Sequence, residues 1–219
     1  MSVNNNSIPG IEVKKPSTNP TIDSEYSDFE IPFYKDEEFF SNIENYVYFV
    51  KGVERIVRCS RYYKKYISEI KSRGLDFCAV KSNIREESED DNLIEMHHYP
   101  LTLFDYAAII TDHMLQEGQK VTTFRVADRL IDEHFNHRVK FIMLCETVHE
   151  EEHADELFLN MKGTCGDLEK FLKKYNRGVQ EEHIKKLNQY IELSQKHDSF
   201  DNGVLEVNEF VTKWKRYNN

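Results

Sequence analysis

Four of the nine histidines in this chain fall in two short words, Glu95-Met96-His97-His98 and His149-Glu150-Glu151-Glu152-His153. The second word places two imidazoles at i and i+4, which is one face of a helix. Imidazole is the commonest protein ligand for transition metals and the natural base near neutral pH. A double histidine upstream and a spaced pair downstream can therefore build one site with both a metal ion and a base.

The elements that would hold these residues follow from periodicity and punctuation. Leu93 to His98 reads as a short strand with the double histidine at its end, and Asp76 to Ile84 as a strand before it. The acidic stretch from Glu86 to Asp91 would be the hairpin loop between them. Thr102 caps a helix over Leu103 to Leu115, and Gly118 ends it. A second helix runs from Thr123 to about His137. Val139 to Leu144 is the most apolar short run and reads as a buried strand. Thr147 then opens the helix that carries His149 and His153.

Upstream, Phe39 to Phe49 reads as a short helix and Val53 to Arg58 as a strand. Ser60 caps a helix over Arg61 to Arg73 that stops at Gly74. Downstream, helices are expected over Asp167 to Tyr175 and Gln180 to Lys196, with a short piece at Phe210 to Tyr217. Asp198 to Glu209 has the outline of a calcium loop. Phe200 stands at its third ligand position, so it reads as a turn between helices.

The words "IEMHHYP" and "VKFIMLCETVHEEEH" resemble motifs of the HNH, or His-Me finger, endonucleases. His97 to Asp105 is similar to an "HHxPxTLxD" run of a phage-encoded branch. The resemblance covers roughly residues 76–160. It implies an α+β fold with a ββα-metal (HNH-like) core, two inserted helices and a helical C-terminal region. It also implies that His98 activates water, and that His97, His149 and His153 hold one divalent ion (Mg, Mn, Zn or Ni). Lys140 stands where the family has asparagine and could touch phosphate. The second family cysteine falls on Val148, so the zinc knuckle of many such proteins is absent.

The function implied is hydrolysis of DNA phosphodiester bonds, with the metal stabilising the leaving oxygen and His98 deprotonating water. The alternative is a catalytically inactive HNH-fold protein serving as a structural or accessory subunit of a phage assembly. A third reading takes His149-Glu150-Glu151-Glu152-His153 as the H-E-x-x-H word of a zinc protease, with Glu150 as base and Glu181 or Glu182 as third ligand.

Residues 51–73 are basic, with Arg55, Arg58, Arg61, Lys64 and Lys65 as candidate phosphate contacts. Tyr62, Tyr63 and Tyr66 are interleaved, either to stack on bases or to face a core. Residues 21–40 mix acidic and aromatic side chains and suit either a docking segment for a protein partner or a strap on the chain's own domain.

Three blocks are thus expected: an extended or disordered tail over 1–40, the HNH-like domain over 41–160 and a helical region over 161–219. The net charge of −10 argues against wholesale coating of nucleic acid. No long apolar run suggests a membrane span, the N-terminus has no secretory h-region, and the four scattered cysteines read as reduced thiols. The bacterial host cytoplasm is the expected location, with the virion as the other.

Overall fold

The computed structural model describes residues 34–81, 83–86, 93–154 and 157–196. The turn expected at 198–209, the C-terminal piece at 210–217 and residues 21–33 of the acidic-aromatic segment lie outside the described residues.

The architecture is α+β. Helices α1 (Glu37–Ser41), α2 (Ile43–Cys59) and α3 (Arg61–Ser72) precede strand β1 (Ile94–His98). Helices α4 (Leu103–Gln116) and α5 (Thr123–Phe135) follow, then strand β2 (Phe141–Cys145) and helix α6 (Glu146–His153). Helices α7 (Leu168–Lys174) and α8 (Glu181–Lys196) close the described part, each preceded by a short 3-10 turn.

Local chemistry explains most of these boundaries. The Asn42, Ser60, Thr102, Thr122 and Asp167 side chains each accept a hydrogen bond from a first-turn backbone N–H of the helix they precede. Thr102 and Asp105 form a reciprocal capping box. Gly74 and Gly118 sit at positive φ just after α3 and α4.

The expected strand over Val53 to Arg58 is instead the C-terminal part of α2. Val50, Val53 and Val57 are all buried, and that spacing is a helical stripe, which outweighs the β-branched composition. Among the described residues, the expected strand over Asp76 to Ile84 is not formed; Phe77 makes an isolated bridge with Arg85. So β1 does not pair with it. It pairs antiparallel with β2, His98 opposite Phe141 and Ile94 opposite Cys145. The far edge of β2 is covered by Cys165, which exchanges two backbone hydrogen bonds with Phe141, and by the Ala79 N–H, which donates to Met143.

Helix α4 is the hub. Leu103, Tyr106, Ala107, Ile110 and Met114 are buried, and so are Ala108, Ile109 and Thr111 on its other sides. It touches α2, α5 and the 3-10 turn at Asn176–Gly178. That last contact is backbone against backbone: a Cβ on Gly178 would lie 1.8 Å from the Ile109 carbonyl oxygen.

Residues 34–40 pack on the domain. The Phe40 ring meets Phe49 edge-on at 5.0 Å, and the Lys35 N–H donates to the Val121 carbonyl. For these residues the strap reading describes the structure.

Candidate functional site

Side chains alternate across a strand, so His97 and His98 leave β1 on opposite faces. This alternation divides the four histidines into two environments.

His97 faces α6, where the i,i+4 spacing puts His149 and His153 on one side of the helix. One ligand nitrogen from each of the three rings lies within 4.8 Å of the other two. His149 Nε2 is 3.0 Å from His153 Nε2. On its other nitrogen, His149 Nδ1–H donates to Glu95 Oε2 at 2.6 Å. Glu95 and His97 are two apart on β1 and therefore share a face. Glu152 Oε2 stands 3.3 Å from His97 Nε2 and 3.7 Å from His153 Nδ1. These imidazoles hold the Glu152 carboxyl below its usual range, against the opposing effect of its partial burial. His153 is the exposed member, and His97 is nearly covered.

His98 points the other way, into the core. Its Nε2 lies 2.9 Å from Nε2 of His134, and its ring stacks on Tyr63. His134 Nδ1 is 2.7 Å from the Leu130 carbonyl, which can only accept. His134 therefore carries its proton on Nδ1 and accepts at Nε2 from His98. Both rings are neutral in this arrangement. Burial lowers His134 to about 4, partly offset by the Leu130 bond. Burial, with His134 second, holds His98 well below the ordinary histidine range. His134, near the end of α5, is fully buried. His113 of α4 is also buried, beside Tyr175.

Lys140 precedes β2. Its backbone N–H donates to the Tyr106 hydroxyl at 2.8 Å, and its carbonyl accepts from Tyr99. Glu182 lies by a groove lined by Tyr46, Asp112 and His183, and Glu181 is near Lys185. The third imidazole beside the H-E-x-x-H word is thus His97 from a strand, and neither glutamate joins the cluster.

The cations of residues 51–73 are on the surface: Arg55, Arg58, Arg61, Lys64 and Lys65 are exposed. The tyrosines divide differently. Tyr63 and Tyr66 are buried in the core, and Tyr62 is half-buried beside Arg61. A row of base-stacking rings is not what this segment presents.

A second polar centre escaped the sequence reading. Glu133 of α5 has no exposed surface. It accepts from the Tyr175 hydroxyl at 3.0 Å and from Arg138 at 3.1 Å, and it pairs with Lys174. Its partners lie up to 42 positions away in the chain, beyond any local spacing rule.

Residues 2–216 match the family described as Bacteriophage G278-like virion protein. The chain belongs to that family, and it is a phage virion protein. No curated protein and no solved structure matches it. The match corrects the resemblance to HNH endonucleases: the words around His97-His98 and His149 to His153 sit in a virion-protein family instead. Of the two expected locations, the virion is the one the family supports. Among the described residues no helix is long and apolar enough to cross a membrane.

Proposed function

We propose that this chain is a non-catalytic structural or accessory subunit of the phage particle, acting through contacts with other particle proteins. The observation that carries this reading is the family match over residues 2–216. Two features of the molecule support it. His98 is packed between Tyr63 and His134, with no side toward the imidazole cluster. Large apolar side chains stand exposed on α2, where Ile43 and Tyr48 are 71% and 76% accessible, and would suit a protein neighbour.

The test is a deletion of the gene, complemented in trans, with two readouts. Particles made without the chain should be structurally defective or lose infectivity, and complemented particles should contain the chain by mass spectrometry. The purified protein should leave supercoiled and single-stranded DNA intact with Mg²⁺, Mn²⁺ or Zn²⁺. Metal-dependent nicking that disappears in His149→Ala would overturn the non-catalytic reading.

A further inference from the structure

We propose that His97, His149 and His153 bind one transition-metal ion, with zinc the best fit, and that the ion fastens helix α6 to strand β1. This site is independent of any catalytic reading and needs no base.

Donor geometry comes first. Zinc is held at about 2.0–2.1 Å by imidazole nitrogen, so two ligands of one tetrahedral ion stand about 3.3 Å apart. The His149 and His153 Nε2 atoms are 3.0 Å apart, and the His97 nitrogen lies within 4.8 Å of both. His153, 65% exposed, has room to change rotamer. Glu152 Oε2 lies 3.3 Å from His97 Nε2, at the edge of the cluster.

The surroundings of His149 are those of an oriented ligand. Its Nδ1–H is tied to Glu95, which fixes the ring and leaves the lone pair on Nε2, the nitrogen that faces His153. A carboxylate behind a ligating imidazole does this in metal sites generally and raises the ligand's basicity. Three imidazoles favour zinc, nickel or copper over magnesium or calcium, which prefer oxygen.

Helix α6 supplies an independent reason for a fastening. It has eight residues, far below the length at which an isolated helix is stable. Four of the eight are glutamates, Glu146 and Glu150 repel at i,i+4, and its buried residue is Val148 alone. Hydrophobic burial therefore holds this helix weakly. An ion bridging two of its side chains to a strand would hold it firmly, and would offset the charge of Glu95 and Glu152.

The experiment uses the untagged full chain, stripped with chelator and titrated with ZnCl₂ by calorimetry, with melting followed by circular dichroism. About one Zn²⁺ per chain is expected, with a higher melting temperature and no response to Mg²⁺. His149→Ala and His153→Ala should each weaken binding roughly a hundredfold, and Glu95→Gln about tenfold. His153 is exposed, so its variant keeps the fold, and its unliganded melting should match the wild type. The proposal is overturned if the folded wild type takes up no Zn²⁺, or if both His→Ala variants bind as the wild type does. Binding without any rise in melting temperature would overturn the fastening role.

Discussion

His97 and His98 are adjacent in the chain and face opposite sides of β1: His97 lies against Glu152 of α6, while His98 Nε2 lies 2.9 Å from His134 Nε2 in the core. A double histidine on a strand cannot place both rings in one small site without a distortion of the strand. The two residues thus serve different ends, and substitutions should separate them.

His98→Ala should cost about 2–4 kcal/mol of stability, because it opens a cavity beside Tyr63 and leaves buried His134 Nε2 without its donor. Zn²⁺ affinity should stay within about twofold, since the ring faces away from the cluster. Denaturant unfolding and calorimetry on the same sample check both. A large loss of affinity with unchanged stability would place His98 in the cluster after all.

Acid should weaken the fold through His134. Its folded value is about 4 against an ordinary 6.5, so the unfolded chain binds the proton first as pH falls. The stability from keeping this ring neutral is complete above about pH 6.5 and is lost progressively down to about pH 4. The size is roughly 3 kcal/mol for a shift of this extent. His98, Tyr63 and Tyr66 are the groups around the ring, and the two tyrosines stay neutral throughout this range. Urea unfolding at pH 7.5, 6 and 5 should show the decline, and His134→Phe should reduce it, leaving the part that comes from buried His98.

Glu133→Ala should destabilise by roughly 2–4 kcal/mol, since it strips the buried Tyr175 hydroxyl of its acceptor and unpairs Arg138 and Lys174. Lys174→Ala should cost less, because Lys174 is half exposed and Arg138 still balances the carboxylate. Equal losses in the two variants would contradict this ranking.

Gly178→Ala should be among the most damaging small changes. The new methyl would sit 1.8 Å from the Ile109 carbonyl oxygen, a backbone atom that cannot swing aside. Gly118→Ala provides the control: nothing lies within 4 Å, and only its φ of +64° opposes the substitution. A cost of about 1 kcal/mol is expected there, and several times that at Gly178. Thermal melts of the two variants should differ accordingly.

What the sequence disclosed and what it hid divide along the range of the interactions. Helices with a capping residue and a glycine stop were readable to within a residue or two, as at Ser60 and Thr102. So was the i,i+4 pair on α6, because spacing on one helix is a local property. The partner of β1 was misplaced, because the acidic stretch after Ile84 suggested a hairpin while the real partner lies beyond two helices. The gathering of His97 with His149 and His153 was expected from a resemblance that belongs to another family. His134 and Glu133 could not be found at all. A polar residue near a helix end looks the same whether it caps, faces water or is buried against a residue 36 or 42 positions away.

Strand β1 ends at His98 and its partner begins at Phe141, with α4 and α5 in between. The two strands cannot zip from a tight turn; the intervening chain must be arranged before they meet. Pairings of this sequence separation form late, since the loss of chain freedom precedes the contacts that offset it. The three imidazoles therefore come together only when the inserted helices are seated, and an unfinished chain offers at most the weak pair on α6. An ion held by all three would mark mature subunits and ignore nascent ones. In stopped-flow refolding, its uptake should lag behind helix formation and coincide with the last phase.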